Sequence, residues 1–514
     1  MRPPWRRGAG ALAFAFVLLL ASARPASPNG FPHFAISLEQ LLALLASPDP
    51  QHRLGAATSL GIRREAAAVE PLLAVVEQDP IESVRVEAVE ALGAIRDARA
   101  TAPLVERLGR EPSSKVRAQI ADALGDLGGG PALATLRRLV ADDPSPEPRG
   151  QAALALGRLR APGTRTLLEA RLGSEGDDGV AARLLEALGR LGDPDALSAV
   201  LGFVAGRREP ATRVAATLAL GRLGDRRATP LLVAVLRDGS DAASVRHAAA
   251  LALAALRDPA AIPALAALLA EPDVVTMGLG VRALAETGHD EAVAPLVRLG
   301  LAIRQEVARL ARESAAATFP RHVELLTTAI EVVRALGRLG DGRAWPLIEW
   351  ALGVRPGSVA SVAELRLRER RWELRRAGVL ALAGMRDRAR AEGWLARFLG
   401  DRDARLRAEA ARAMGLRGEA AGVALLRRAL RDPDAEVRWE GARGLGGITT
   451  PGVAEVLLQA LGDPHPRVVA EAARALGRLG AVESRARLEA LARSRPEDEV
   501  REAAAEALSV LRAR

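Results

Sequence analysis

The sequence predicts an all-α fold, an α-solenoid or superhelix built from about 14 pairs of short helices that stack in single file. One observation is a repeated marker, an apolar residue followed by a small residue, which recurs from Leu60 to Leu508. Nearly every step between markers is 31 to 33 residues, and two longer steps separate Leu284, Leu336 and Leu382. A fixed period in this range is typical of a solenoid, because one helix pair cannot bury its apolar face alone. The other observation is composition, since hydrophobic residues are 49% of the chain and no Cys is available for a disulfide core.

The stretch 432–461 shows how one repeat is read. Asp432 is expected to be the N-cap of a helix and Pro433 to occupy its first turn. Val437, Leu445 and Ile448 then follow at near-helical spacing and predict one buried face. In sibling repeats a glycine is expected to end this helix in a left-handed cap. These glycines are Gly128, Gly192, Gly224, Gly340 and Gly480.

The repeats resemble HEAT repeats of the short kind found in phycobilin-lyase-like proteins. The resemblance rests on the text at 79–108, 432–446 and 463–480 and covers most of the chain from about Ser47 onward. It implies a ladder between neighbouring repeats, formed by a turn acid and an Arg early in the second helix. The Arg positions are Arg53, Arg85, Arg117, Arg149, Arg213, Arg246, Arg375, Arg407, Arg438 and Arg501. Ala181, Met277, Ala329 and Val469 interrupt the series, so looser joints are expected there.

The chain divides into five predicted segments. Residues 1–23 combine early arginines, an apolar run at 11–21 and a small-residue cleavage signal, which predicts a secretory signal peptide rather than a retained anchor. Residues 24–46 are expected to form a leader and a first capping helix, and 47–300 to form regular repeats. Residues 301–400 are expected to be irregular repeats with insertions, and 401–514 regular repeats with a C-terminal cap. We therefore expect an exported chain, periplasmic or extracellular, with no stable membrane span after cleavage.

Composition and motifs argue against several function classes. The net charge is +9, but acids are interspersed with the arginines and Tyr is absent, so we expect no nucleic-acid partner. The six His residues form no metal-binding or catalytic pattern, and the absence of Cys rules out a thiolate nucleophile. We therefore predict that the chain is not an enzyme and holds no cofactor or metal.

A first set of candidate partner-binding residues lies two positions before the marker on the second helices, away from the buried stripe. In the second half of the chain these positions hold Arg282, Arg334, Arg412, Arg443 and Arg474. One interpretation is a charged concave groove that holds a partner of opposite charge. The alternative is local i,i+3 ion pairing, because a Glu precedes each of these residues except Arg282, which has Leu279.

A second set of candidates lies in an aromatic window. Five of the six Trp residues fall between 345 and 439, together with both long repeat spacings. The segment 362–376 adds an arginine-rich helix, and Arg366, Arg370, Trp372 and Trp439 are the residues that we single out. Trp and Arg are enriched in interface hot spots, which favours a binding site. The alternative is that these Trp side chains fill gaps where the repeat geometry breaks.

Two functional hypotheses remain open at this point. The first is an exported, non-catalytic scaffold that binds a protein partner through its concave face and the irregular 300–440 segment. The second is a bilin-lyase-like protein that handles a tetrapyrrole or another cofactor, which only the family resemblance implies. The predicted export signal and the lack of a nucleophile favour the first hypothesis.

Overall fold

The computed structural model describes residues 36–206, 209–312, 315–355, 362–494 and 496–513. In these residues the regular elements are helices, and no strand is present. The predicted signal peptide, most of the leader and residues 356–361 lie outside the described residues.

The α-helices of the described residues form 14 consecutive pairs, in agreement with the predicted number. In chain order they are α1 (Leu38–Leu44), α2 (Pro50–Arg63), α3 (Val69–Gln78), α4 (Glu82–Ile95), α5 (Thr101–Leu108), α6 (Ser114–Leu127), α7 (Gly130–Asp142), α8 (Pro146–Leu159), α9 (Arg165–Ser174), α10 (Asp178–Leu191), α11 (Leu197–Ala205), α12 (Pro210–Leu223), α13 (Thr229–Arg237), α14 (Ala243–Leu256), α15 (Ile262–Ala267), α16 (Val274–Thr287), α17 (Val293–Leu310), α18 (Ala315–Leu339), α19 (Trp345–Gly353), α20 (Val362–Ala381), α21 (Arg388–Phe398), α22 (Ala404–Arg417), α23 (Val423–Ala429), α24 (Ala435–Leu445), α25 (Val453–Ala460), α26 (Pro466–Leu479), α27 (Arg485–Ser494) and α28 (Asp498–Ala513). We call the odd-numbered helices A and the even-numbered helices B.

Short 3₁₀ turns lead into many of the A helices. They span Ala66–Ala68, Ala98–Ala100, Pro194–Ala196, Arg226–Ala228, Pro259–Ala261, Asp290–Ala292, Gly342–Ala344, Ala420–Gly422 and Val482–Ser484, and a further one at Leu268–Ala270 follows α15. The chain separates into two compact units, the first ending at Leu256 and the second beginning at Arg257. Within each unit, each B helix packs against its own A helix and against B helices of adjacent repeats.

The small residue after each marker sets how closely the B helices approach. The marker leucines Leu60 and Leu156 are fully buried. A Cβ added to the following Gly61 would lie 2.8 Å from the Cα of Ala91, and one added to Gly157 would lie 2.8 Å from the Cα of Ala187. Such distances leave no room for a side chain, so the glycines allow backbone-to-backbone packing between repeats.

The predicted helix ends are partly confirmed. All five predicted cap glycines adopt positive φ. Arg64, Arg96, Arg160 and Arg257 adopt the same left-handed conformation at cap positions without glycine, which the motif did not predict. The prediction of Asp432 as N-cap is wrong, because Asp434 caps α24 and its side chain accepts a hydrogen bond from the Glu436 N–H. The helix also ends at Leu445, before Ile448.

The ladder explains why Asp432 is not the cap. Arg407 Nε and Nη2 each donate to the Asp432 carboxylate at 2.8 Å. The same carboxylate accepts from the Asp434 N–H at 2.9 Å and so fixes the turn before the helix. The arginines at eight of the ten predicted positions each bind the turn acid of the next repeat, whereas in the described residues Arg246 and Arg501 form no such rung. The rungs are Arg53–Asp79, Arg85–Glu111, Arg117–Asp143, Arg149–Glu175, Arg213–Asp241, Arg375–Asp401, Arg407–Asp432 and Arg438–Asp463.

The rung between Arg149 and Glu175 is the most enclosed. Arg149 Nε and Nη2 bind the two Glu175 oxygens at 3.0 and 2.9 Å, and Nη1 binds the Asp143 carbonyl oxygen at 2.9 Å. Burial alone would raise the pKa of Glu175, but hydrogen bonds from Arg149, the Asp177 N–H and Arg171 outweigh it and lower the pKa to about 2. The looser joints expected at Ala181, Met277, Ala329 and Val469 stay a prediction.

Candidate partner-binding surface

The five arginines predicted for the groove all reach solvent, and all lie in the second unit. Arg282, Arg334 and Arg443 are exposed, whereas Arg412 and Arg474 are half-buried. They lie on α16, α18, α24, α22 and α26, which are all B helices. We call the surface formed by these positions the helix-B surface. The helical periodicity therefore identified side chains that point away from the core.

The predicted local ion pairs form in two of the four cases. Arg334 Nη1 lies 2.9 Å from Glu331 Oε1, and Arg443 Nη1 lies 3.9 Å from Glu440 Oε1. The predicted pairs of Glu409 with Arg412 and of Glu471 with Arg474 are wrong.

The two missing pairs are replaced by contacts that the sequence spacing did not predict. Glu409 pairs with Arg376 of the preceding B helix. Glu471 pairs with Arg478 at 2.7 Å, and Arg474 turns to Glu506 of the next B helix at 3.3 Å. Both glutamates are buried, and each carboxylate pairs with another arginine instead of the i+3 arginine.

Glu440 lies between these two buried glutamates in repeat order, 31 residues from each, and it is buried as well. Burial raises its pKa to about 7, and the positive charges of Arg443 and Arg412 oppose this rise. The negative charge of Glu409 raises the pKa further. Glu440 is therefore a carboxylate that changes protonation near neutral pH beneath the helix-B surface.

The aromatic window contains both buried and accessible Trp residues. Trp345 is buried, as gap filling predicts, with the Arg390 guanidinium 4.4 Å from its ring centroid. Trp350, Trp372, Trp394 and Trp439 are each half-buried and keep part of their surface exposed. The gap-filling interpretation is therefore supported for Trp345, and the binding interpretation stays a prediction for the four accessible Trp residues.

Two of these rings are each covered by one guanidinium group from their own helix and one from the next B helix. The Arg405 guanidinium lies 4.6 Å and the Arg376 guanidinium 5.7 Å from the Trp372 ring centroid. At Trp439 the corresponding distances are 5.3 Å for Arg443 and 5.1 Å for Arg467. Arginine over an indole ring is an attractive cation–π arrangement. The predicted residues Trp439 and Arg443 are thus brought together in one cluster.

The remaining predicted residues lie on the first half of α20. Arg366 is exposed. Arg370 is half-buried and binds Glu373 at 2.6 Å, one helical turn further on. These two residues are accessible but lie outside the two Trp clusters.

Sequence reasoning missed Arg405 and Arg467, which complete the Trp clusters from the first turn of the following B helix. It also missed Arg338, which lies one turn after Arg334 and lines the same cavity as Arg282 and Arg334. Arg338 could have been found from the sequence, because it follows Arg334 by four residues and therefore lies on the same face of α18. The signal for Arg405 and Arg467 was absent, because their approach to the rings depends on packing between repeats.

Neither a metal-binding group of side chains nor a membrane-spanning helix is found in the described residues. No group of three or more His, Asp or Glu side chains there is arranged to hold a metal ion. No helix among those residues combines the length and the apolarity that crossing a bilayer requires.

Comparison with known proteins identifies the repeats. The family model for HEAT repeats matches residues 38–125, 101–188, 174–243, 359–439 and 423–509. The model for the PBS lyase HEAT-like repeat matches residues 245–271. A comparison with curated protein sequences gave no match.

Several solved structures are similar to this chain. Yeast importin-beta (Kap95p) is 12% identical over 92% of this chain and 76% of its own, with a TM-score of 0.49. The complex of CpcE and CpcF of phycocyanin lyase from Nostoc sp. PCC7120 is 26% identical over 53% of this chain and 98% of its own, with a TM-score of 0.28. Human deoxyhypusine hydroxylase is 19% identical over 78% of this chain and 99% of its own, with a TM-score of 0.23. Because the HEAT-repeat matches together span well over half of the sequence, the chain belongs to the HEAT-repeat family.

Proposed function

We propose that this chain is an exported, non-catalytic HEAT-repeat scaffold that binds a protein partner through the helix-B surface and the 300–440 segment. The observation that carries the proposal is the pair of half-exposed Trp rings, Trp372 and Trp439, each covered by two guanidinium groups. Trp and Arg are the residues that most often dominate interface energies. Here the arginines hold the rings in place before a partner arrives, which lowers the entropy lost on binding.

The partner is expected to contact the exposed edge of both clusters. Arg405 and Arg467 are the most accessible members, with side chains 66% and 50% exposed. A photo-crosslinking residue placed at Arg405 or at Arg467 should therefore capture the same protein in the native cell. The matched control is Val482, which is also exposed but follows the end of α26 opposite to Arg467. Equal capture from Val482 would contradict a site at the Trp clusters.

A quantitative test uses the full chain as bait in the cell-envelope fraction. Trp372→Ala is expected to reduce recovery of the crosslinked partner about tenfold or more, the loss of a typical hot spot. Arg405→Glu serves as a second variant, because it removes one of the two guanidinium groups from the Trp372 ring and keeps the ring itself. Circular dichroism checks that both variants fold. Equal recovery with wild type and both variants would exclude this site.

Export is tested separately from binding. The mature protein is expected in the periplasm or outside the cell and to begin after the small-residue signal at 21–23. Mass spectrometry of its N-terminal peptide checks the cleavage. A cytosolic protein that retains its first residues would contradict export, and visible-band absorbance of the purified chain would favour the tetrapyrrole-handling hypothesis.

A further inference from the structure

Three consecutive B helices of the second unit, α16, α18 and α20, line a cavity of about 440 Å³, and its walls include Arg282 and Arg334 of the helix-B surface. Its floor is made of small residues, because α18 and α20 approach very closely. A Cβ on Gly337 would lie 2.6 Å from the Cα of Ala381. No large side chain can grow from this floor, so the space above it stays open. We call this cavity the Arg282 groove.

The walls of the groove carry an excess of positive charge. Arg282 comes from α16, and Arg334 and Arg338 come from α18, whereas Glu331 is the carboxylate that lines the groove. All three arginines are exposed. Arg334 binds Glu331 at 2.9 Å, but both side chains remain substantially in solvent, so this pair is weak.

The other two arginines have no such partner. Among the described residues, neither Arg282 nor Arg338 has a carboxylate within ion-pairing distance. At Arg282 the reason is visible in the sequence, because Leu279 occupies the position where Arg334 has Glu331. Two cations therefore line the groove with their hydrogen-bond donors available to a ligand.

The groove also has a small apolar contact area. Leu380 on α20 is half-exposed and lines it together with alanines of the same helix. A volume of this size lies in the range of ligand pockets and accommodates a few side chains of a bound segment. Arg334 and Arg338 are one turn apart on α18, so their Cα atoms are spaced by about 6 Å along the helix.

We propose that the Arg282 groove binds an acidic helical segment of the protein partner, with two carboxylates one turn apart and an apolar side chain between them. The carboxylates pair with Arg282 and with the Arg334–Arg338 turn, and the apolar side chain packs on Leu380. Arginine forms two parallel hydrogen bonds to a carboxylate, and partial enclosure strengthens them. The inference rests on the proposed scaffold function and adds the chemistry of one part of the partner.

The observations favour a protein segment over a nucleic acid. The lining of the groove includes the carboxylate of Glu331, which is paired with Arg334, so two arginines, Arg282 and Arg338, remain for an acidic ligand. Its lining residues are arginine, small residues and Leu380, with no aromatic ring for base stacking among them. Isolated carboxylates separated by an apolar residue match this arrangement.

The experiment measures binding of a labelled helical peptide to the full wild-type chain by fluorescence anisotropy. The peptide has Glu at every fourth position and Leu between these Glu residues. The control peptide carries Gln in place of each Glu. The variants are Arg282→Glu and Arg338→Glu, and the matched control is Arg304→Glu, which removes one exposed arginine from helix A α17. The proposal predicts about tenfold weaker binding for each groove variant, unchanged binding for Arg304→Glu and no binding of the Gln peptide.

Each other outcome overturns the proposal. Equal weakening in all three variants would show nonspecific attraction to net positive charge. Binding of a DNA oligonucleotide, but not of the acidic peptide, with loss in the groove variants would assign the groove to nucleic acid. If neither ligand binds, the groove is not a binding site. If the partner captured through the Trp clusters still binds Arg282→Glu normally, the scaffold function stands and only the groove assignment fails.

Discussion

Replacing Arg149 should loosen the joint between two repeats, because this residue connects three parts of the chain. It binds Glu175 through two hydrogen bonds and the carbonyl oxygens of Asp143 and Pro144 through two more. Arg149→Met keeps the length of the side chain and removes all four. Glu175 retains Arg171 at 2.9 Å and the Asp177 N–H, so it is not left alone. We therefore expect a loss of about 2–4 kcal/mol, somewhat less than for a fully orphaned buried charge.

The coupling between the two side chains is measured by a double-mutant cycle with Glu175→Gln. Hydrogen exchange of the α8 and α10 amides is the suitable assay, because long repeat arrays need not unfold in one step. The side chains of Arg149 and Glu175 are 10% and 2% exposed, so we expect a coupling of about 1–2 kcal/mol. The control cycle uses Lys115 and Glu82, which lie 3.0 Å apart but are exposed, and it should give a clearly smaller coupling.

The pH dependence follows from the low pKa of Glu175. Its folded pKa of about 2 lies below the ordinary value of 4.5, so the unfolded chain binds a proton more readily. The stabilisation from the rung is therefore complete above pH 4.5 and is lost as the pH falls toward 2. Coupling no larger than in the control cycle, or exchange that does not change over this range, would refute the ladder as a source of stability.

Three further predictions concern single positions. Gly337→Ala should lower the free energy of unfolding by about 1–3 kcal/mol, because the new methyl meets the Ala381 backbone. Gly393→Ala, whose Cβ would meet no atom within 4 Å, should instead stabilise α21 by about 0.5–1 kcal/mol. Urea denaturation should therefore show that the two substitutions change the free energy of unfolding in opposite directions. Glu440→Gln should stabilise the second unit at pH 8 by about 1–2 kcal/mol, a figure that allows for screening by nearby arginines. The same substitution should have little effect at pH 4. The reason is that the folded chain favours protonated Glu440, and this stabilisation is lost as the pH rises through about 7. Arg160→Gly should raise stability by about 1 kcal/mol, because Arg160 holds a φ of 47°, and a lower midpoint in thermal unfolding would contradict this.

The periodic features of the chain were predictable from its sequence, because each depends on neighbours at fixed separations. The recurrence of Leu60 and its equivalents predicted the helix pairs, and the resemblance to HEAT repeats implied the ladder in which Arg149 takes part. The error at Asp432 has a physical reason. Two acids, Asp432 and Asp434, lie close to the helix start, and local propensity cannot show that the first is occupied by an Arg from the preceding repeat.

The candidate site was less predictable, because its contacts cross between repeats. The i,i+3 rule correctly paired Arg334 with Glu331, where the helix surface is exposed. It failed at Glu471, where burial directs the carboxylate toward Arg478. The Arg282 groove depends on how closely α18 and α20 approach each other. Gly337 permits this close approach, but the sequence does not show which helix packs against it.

The direction of the ladder has a consequence for how such a chain can lengthen. Each repeat supplies one guanidinium to its successor and one carboxylate to its predecessor. A duplication of one whole repeat inside a run of rungs therefore adds a donor and an acceptor together, and every old and new rung finds a match. An insertion of any other length would shift the two out of phase, so growth by whole modules is the change that this architecture tolerates best.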